Sequence, residues 1–551
     1  MKYNATAKPL LYDSQLKARL GLVRKRLQAY PMADMNFTMM DLERPTLHRR
    51  HADFCTYDLT GRMMLFYSLA DGIDGTHVDS LHEIFNRVMH SRRKSGLFDD
   101  TPDDQPVIVG THFISGLVNY YTLTGDMRAL NAAKEAAERM LRDGDRFFRC
   151  LESNGTNNMN AWISEGFAEL YRETRDEKYL DAVRRIAKEC MGTIQYAHSH
   201  GYMTTLRGIM RAAIYANDDE LAMIVKERLC EIMDIGVTEI GDIAEAFPRS
   251  HRNEGCSIAD FIMLCMLCGH YFDDPSYYEA AEYSLWNALY FNQFVTGGFG
   301  HRFFAYRGYR TYIEEAWWCC TQNAGTCFAE IARHVATVRG GKVKVNFLIP
   351  GEYTLPGENG NITVTITTKL PTKASTIIKV VGTKDDIDIR IPDYIKEVSS
   401  RRVETDFGYT LYLDGKLGHY AEKRGDGYVM KYGPLVLAPM IYTWDMCVND
   451  ADKTSIPEGY THENMPGYGC TLDLGEADEN GFYHFEHDPI PAWIVFEEGE
   501  MADIAGGEAA AAHIPVCFDD GDKNVLYFQP LCSATTNLTL MDIPVVFDLK
   551  K

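Results

Sequence analysis

What this sequence lacks closes off several classes of function. It has no basic stripe: 78 acidic residues outnumber 56 basic ones, for a net charge of −22. Such a surface repels nucleic acid and anionic membrane, so neither is expected as a partner. It has no long apolar run; the strongest, Phe261 to Cys268, is far too short to span a bilayer and reads as a buried helix. Met1 to Asp13 holds no apolar core of signal-peptide length. Its fourteen cysteines, scattered from Cys55 to Cys532, have neither the density nor the spacing of a disulfide scaffold. Free thiols in that number suit a reducing compartment, so a cytoplasmic protein is expected, or a periplasmic one if a leader has been trimmed.

At 551 residues the chain exceeds one ordinary core, and two to four domains are expected. The first 340 residues repeat themselves. Blocks of apolar helix end in an aromatic and a turn, at Tyr67, Tyr121, Tyr171, Tyr215 and Tyr271. An amphipathic helix follows each turn, such as Ala129–Leu141 or Lys178–Met191, with apolar residues at i, i+3, i+4 and i+7. Gly125-Asp126 suits a helix stop followed by a cap for the next helix. A helical hairpin repeated about every 50 residues builds either an open solenoid or a closed (α/α)6 barrel. Five blocks plus a last helix at Thr326–Val338 favour closure, with the loops of one end around a shared depression.

After Arg339-Gly340-Gly341 the texture changes. Val343–Ile349, Asn361–Thr368, Ser375–Val381, Ile387–Ile391 and Tyr409–Leu413 are short, β-branched and alternating, which predicts a β-sandwich. Two more strands are expected around the Gly433-Pro434 turn. The reading is thus a barrel domain over 1–340, a β-sandwich over 341–445, and over 446–551 a second β region or a return into the first. Ile494–Phe496 and Val525–Gln529 are expected strands there, and Glu497–Ala512 a surface excursion.

Chemistry concentrates in Glu315-Ala316-Trp317-Trp318-Cys319-Cys320-Thr321-Gln322-Asn323. Adjacent side chains leave a helix about 100° apart and a strand on opposite faces, so a turn or helix start suits two sulfurs aimed at one centre. The apolar run that follows places the pair at a helix N-terminus, where the dipole favours thiolates. Metal ligation and nucleophilic chemistry are both uses for such a pair; two cysteines packed as small hydrophobes are the plainer alternative. Upstream, Glu254-Gly255-Cys256 opens the apolar helix. Joined to Cys319 and Cys320 it supplies three sulfurs and one oxygen, a sensible tetrahedral set for Zn2+, unless Glu254 merely caps the helix while Cys256 packs.

The motifs Glu245-Ala246-Phe247, Glu254-Gly255-Cys256 and Cys319-Cys320-x-x-Asn323 make the chain resemble glycoside hydrolase family 127, the β-L-arabinofuranosidases, as a divergent member. Asp58-Leu59-Thr60-Gly61-Arg62, His112 ahead of Tyr120-Tyr121, and Tyr432-Gly433-Pro434 extend the likeness over about residues 50–440. The resemblance implies an (α/α)6 barrel followed by β-sandwich domains. It implies a zinc-dependent retaining glycosidase, with Cys319 as nucleophile, Glu245 as acid/base, and Glu254, Cys256, Cys319 and Cys320 as zinc ligands. His112 matches a sugar-binding histidine; Asn160, His251, His301, Trp317 and Gln322 complete the expected sugar contacts.

The departures bear on substrate. The connection from Glu245 to Glu254 is short for the family, which leaves Glu239 as a reserve acid/base. Two further sugar-binding histidines are expected to be replaced at or near Asn160 and Gly208, which argues for a changed sugar. Arg252, Arg302 and Arg307 could hold a carboxylate bidentately, or be solvated surface arginines. A terminal L-arabinofuranose or related furanose on a plant or bacterial glycan is the expected substrate, with the protein a monomer or homodimer. The competing readings are a metal-free uronide hydrolase, lyase or epimerase on the same barrel, and a glycan-binding protein with a structural zinc.

Overall fold

The computed structural model describes residues 4–43, 57–91, 111–142, 159–190, 192, 194, 197–248, 250–294, 296–305, 307–316, 318–439, 471–472, 474–479, 482–485, 512–517, 523–533 and 542–549. Its principal helices are α1 Gln15–Leu27, α2 Asp58–Ala70, α3 Asp79–Ser91, α4 Thr111–Thr124, α5 Met127–Arg142, α6 Ser164–Thr174, α7 Glu177–Cys190, α8 Ser199–Ala216, α9 Asp219–Ile235, α10 Gly255–Phe272, α11 Pro275–Ser284 and α12 Cys320–His334.

One turn chemistry makes the hairpins. Between α4 and α5, α6 and α7, α8 and α9, and α10 and α11, one residue turns left-handed: Gly125 (φ 73°), Arg175 (56°), Asn217 (56°) and Asp273 (60°). The next residue is always aspartate, and its carboxylate caps the following helix. Arg128, Lys178, Leu221 and Ser276 donate their backbone N–H to Asp126, Asp176, Asp218 and Asp274 at 2.9, 3.3, 3.2 and 2.9 Å. The stop and the restart are thus two consecutive residues, which throws each helix back antiparallel to the last.

The buried helices pack in a circuit. α2 lies on α4, α4 on α6, α6 on α8, α8 on α10, α10 on α12, and α12 returns to α2. α3, α5, α7, α9 and α11 each lie on the helix before them, and α1, from the other end of the chain, lies on α12. α10 carries the apolar run; it is long and apolar enough to cross a membrane, but its neighbours enclose it. α2 and α4 approach backbone to backbone. A Cβ on Gly61 would stand 2.4 Å from the Phe113 nitrogen, and one on Gly116 would stand 2.7 Å from the Gly61 oxygen.

The strands group differently from the expected divisions at 340 and 445. An antiparallel six-stranded sheet runs, in order, Ile395–Thr405, Gly408–Leu417, Ser375–Val381, Gly360–Thr368, Gly351–Gly357 and Lys8–Leu11. Its last strand comes from ahead of α1. The strands around Gly433-Pro434, Gly427–Tyr432 and Leu435–Pro439, pair as expected but belong to a separate eight-stranded sheet with His419–Arg424, Lys523–Pro530 and Ala512–Cys517. Residues 419–439 therefore go with the C-terminal strands rather than with a 341–445 unit. The chain then returns to the helical half, where Asp542–Pro544 pairs with Gly308–Glu315. Ile494–Phe496 and 497–511 lie outside the described residues.

Candidate active site

Two buried helices aim their N-termini at one point. Glu254 is the N-cap of α10 and Cys319 the N-cap of α12, and neither uses its side chain to cap. The freed side chains meet: one ligand atom each from Glu254, Cys256, Cys319 and Cys320 lie within 4.8 Å of one another, all four residues buried. The Cys319 and Cys320 sulfurs are 3.7 Å apart. Tetrahedral zinc with Zn–S bonds of about 2.3 Å requires sulfurs about 3.8 Å apart. The donor set and its spacing are compatible with zinc. Burial, and then the neighbouring thiols, push Cys256 well above the usual thiol range, and burial does the same to Cys320. Three sulfurs and a carboxylate this close cannot all ionise unaided; a divalent cation and two helix dipoles favour that state.

Histidines surround the cluster. His198 Nε2 is 3.1 Å from Glu254 Oε2, which also accepts from Ser257 Oγ at 2.9 Å. Burial opposes the carboxylate charge of Glu254, but His198, His200 and His301 together outweigh it and hold the group well below the usual range. Trp162 packs against both His198 and His200, at 6.0 and 5.1 Å between ring centres, over the bare face of Gly201. His301 is buried with Nδ1 donating to the Asn253 carbonyl at 2.9 Å, and its field also acts on Glu254. His112, on α4, donates from Nδ1 to Asp58 at 2.9 Å and stacks on His200. Burial pushes the His112 imidazole down to about 4, keeping it neutral near pH 7.

Residues 106–316 match the family model for the β-L-arabinofuranosidase, GH127 catalytic domain. The chain carries a GH127 catalytic domain. On that match it is a glycoside hydrolase, β-L-arabinofuranosidase-like. The match ends just before Cys319. The fold agrees over the whole length. A GH127 β-arabinofuranosidase designated BT3674 is 14% identical at a TM-score of 0.71, with 99% of this chain and 98% of that one covered. A GH127 β-L-arabinofuranosidase from Geobacillus stearothermophilus T6 is 12% identical at 0.70, with 98% and 100% covered. No curated protein sequence matches.

Within this site the expected residues fare unequally. Cys319, Glu254, Cys256 and Cys320 come together, with His112 and His301 around them. Gln322, on the first turn of α12, is fully buried with Nε2 on the Met63 sulfur at 3.7 Å and Oε1 without a hydrogen-bond partner. His251 is exposed and leans on Phe303, 5.4 Å between rings, so the structure gives it no place at the cluster. Trp317 and the Asn160 side chain lie outside the described residues. The position of Gly208 never had room for an imidazole. A Cβ there would stand 2.2 Å from Ser164 Oγ, so α8 and α6 touch at that point. The imidazoles that do lie near the cluster, besides His112 and His301, are those of His198 and His200. Their spacing of two at a helix start was a signal that the sequence reading passed over.

Glu245 reaches the edge of the site. Its backbone lies in the loop that links α9 to α10: Ser199 donates to its carbonyl at 3.0 Å, and its field acts on His198. Both of its carboxylate oxygens are taken by Arg252, from Nε and Nη2 at 2.7 Å each, while Arg252 Nη1 donates to Glu314 at 2.6 Å. The carboxylate therefore meets a guanidinium and not the apolar side chains of Ala246 and Phe247 that follow it in sequence. Glu239 is elsewhere, lining a cavity of about 790 Å³ between helices and strands with Tyr283, Tyr420 and Glu422. None of the three arginines waits for a substrate carboxylate. Arg252 holds Glu245, Arg302 donates to the Phe291 carbonyl at 2.8 Å, and Arg307 pairs with Asp426 and Asp548.

Proposed function

We propose that this protein is a zinc-dependent retaining exo-glycosidase that releases a terminal L-arabinofuranose or related furanose, with Cys319 as its nucleophile. The helical circuit is read as an (α/α)6 barrel and the six-stranded sheet as part of a β-sandwich. The observation that carries the reading is the convergence of Glu254, Cys256, Cys319 and Cys320 on one point with sulfurs at a tetrahedral spacing. Zinc held there would keep the Cys319 sulfur a thiolate at neutral pH.

In the first half of the reaction the Cys319 sulfur bonds to the anomeric carbon as the bond to the leaving oxygen breaks, and that oxygen takes a proton from Glu245. In the second, a water oxygen bonds to the same carbon, the carbon–sulfur bond breaks, and Glu245 recovers the water's proton. Two inversions give retention. Glu245 becomes a proton donor only when one oxygen leaves Arg252, which keeps Glu314 as a partner meanwhile. That shared guanidinium also supports a second reading, in which Glu314 is the acid/base. The neutral His112 and the Nδ1-anchored His301 suit sugar hydroxyls, with an oligosaccharide as the substrate.

The test joins metal and turnover. Wild type should carry about one zinc per chain and hydrolyse one of a panel of furanosides and pectin oligosaccharides, and Cys319→Ala should not. A metal-free enzyme indifferent to Cys319→Ala would overturn the proposal and favour carboxylate chemistry on the same scaffold. Sugar binding without turnover would favour a glycan-binding protein.

A further inference from the structure

Behind the cluster lies a buried chain of side chains whose hydrogen-bond directions are fixed by chemistry. Arginine only donates. Arg62 Nη2 lies 3.0 Å from His200 Nε2, so that nitrogen accepts, and the imidazole proton is on Nδ1. Nδ1 in turn donates to Asp260 Oδ2 at 2.5 Å. Arg62 Nε donates to Asp58 at 2.7 Å, and its charge acts on the sulfurs of Cys256 and Cys319. Arg62, His200 and Asp260 are all buried.

Asp260 is where this chain meets the nucleophile's helix. It lies one turn after Cys256 on α10 and is wholly buried. Its Oδ1 accepts from Arg207 Nη1 at 2.5 Å and from Asn323 Nδ2 at 2.9 Å. The same Asn323 nitrogen donates to the Cys256 carbonyl at 3.0 Å. Asn323 stands one turn after Cys319, so Asp260 and Asn323 tether α12 to α10 behind the two ligand-bearing ends.

We propose that Asp260 is a positioning residue for the Cys319 nucleophile. It fixes His200 with its proton on Nδ1, so that His200 Nε2 holds the Arg62 cation whose charge acts on the Cys319 sulfur, and it fixes the start of α12 through Asn323. The inference rests on the nucleophilic role of Cys319. Asp260 itself touches neither sugar nor sulfur.

The replacement Asp260→Asn is isosteric, yet it cannot satisfy the same partners. If its amide nitrogen replaces Oδ2 it faces His200 Nδ1–H, and relief by moving that proton to Nε2 sets donor against donor at Arg62. If the nitrogen replaces Oδ1 it faces two donors, Arg207 and Asn323. The expected result is a fall in kcat of roughly 10–100-fold, the usual cost of losing a group that orients a metal ligand's surroundings. KM should move by no more than about twofold, since uniform binding is not what is lost. Zinc should remain at one per chain. His200→Gln, which breaks only the arm through Arg62, should show a fall no larger than that, and the double variant none beyond that of Asp260→Asn, because His200 acts through Asp260.

A loss carried by KM alone, or zinc lost in step with activity, overturns the proposal. So does full additivity of Asp260→Asn and His200→Gln. One readout needs neither turnover nor a stable variant. In ¹⁵N-histidine-labelled wild type, the resonances absent from His200→Gln should have the Nδ1-protonated pattern, and an Nε2-protonated or cationic ring refutes the assignment. Wild type with that pattern but no glycosidase activity would instead count against the function proposed above.

Discussion

Gly61→Ala sets two effects of known sign against each other at the site's back wall. Alanine in mid-helix gains roughly 1 kcal/mol over glycine by propensity. The added methyl, however, would stand 2.4 Å from the Phe113 nitrogen, 2.6 Å from its Cα and 2.7 Å from the His112 carbonyl carbon. All three are backbone atoms, which cannot swing aside as a side chain does. Ordinary contact begins near 3.4 Å, so α2 and α4 must part by about 1 Å. Overpacking of this kind costs roughly 1–3 kcal/mol, and a rigid neighbour puts it in the upper half, leaving a net loss of about 1–2 kcal/mol. The same shift acts on function. Asp58 on α2 accepts from His112 on α4 at 2.9 Å, and another ~1 Å takes that contact beyond hydrogen-bond range. Thermal melts in zinc-saturated buffer should fall by a few degrees and kcat/KM should drop with them. Gly21→Ala is the control: nothing lies within 4 Å of its added methyl, so propensity acts alone and the variant should match or exceed wild type. If Gly61→Ala melted as high as Gly21→Ala with unchanged turnover, the backbone-to-backbone contact argued here would be wrong.

Cys256→Ser should lower both zinc content and melting temperature, and wild type should release zinc on acidification because its thiols must be deprotonated to bind; elemental analysis across pH reads both. Cys319 as nucleophile requires retention of anomeric configuration, and inversion in the first-formed product by NMR would exclude it. Glu245→Gln should slow glycosides with poor leaving groups by orders of magnitude and spare the first step on activated aryl glycosides; full rate on a natural linkage would hand the role to Glu314. Glu169 is buried, and burial, with Glu165 adding to it against Arg172, raises its carboxyl to about 7 from 4.5. The folded state therefore holds this proton more tightly than the unfolded chain. Relative to Glu169→Gln, wild type should lose stability as pH rises from 4.5 through about 7, by up to about 3 kcal/mol, and a gap flat with pH would contradict this.

The hairpins were legible because their turns are spelled in adjacent residues, a left-handed stop and an aspartate cap, beside an aromatic that closes each block. The Glu254, Cys256, Cys319 and Cys320 cluster was legible because sulfurs at two helix starts are an unusual composition, and the family likeness joined them across 63 positions of sequence, Cys256 to Cys319. Less visible were features set by distant partners. Ile395–Thr405 is polar along almost its whole length because it is an exposed edge strand, so no alternation announces it. α12 begins at Cys320 rather than at Thr326 because Cys319 opens it, although Thr321 to Gly325 lack an apolar stripe. The residues next to Glu245 in sequence, Ala246 and Phe247, are apolar, yet the one that decides its surroundings is Arg252, seven positions on. His198 and His200 stand two apart at a helix start, but that spacing belongs to no motif and gains meaning only when Glu254 and Arg62 are placed beside them.

The pairing of α1 with α12 has a consequence for synthesis. A ribosome releases Gln15–Leu27 long before Cys320–His334 exists. At roughly 5–20 residues per second the gap lasts about 15–60 s. For that interval Leu16, Leu20, Val23 and Leu27, all buried in the finished protein, have no α12 to cover them. The same holds for Lys8–Leu11, which awaits Gly351–Gly357. The nascent chain must therefore carry an unsatisfied greasy stripe through the making of five hairpins, a natural handhold for a chaperone. The last cysteine of the cluster emerges only as that wait ends, so Glu254, Cys256, Cys319 and Cys320 cannot meet before the final helix of the circuit is made.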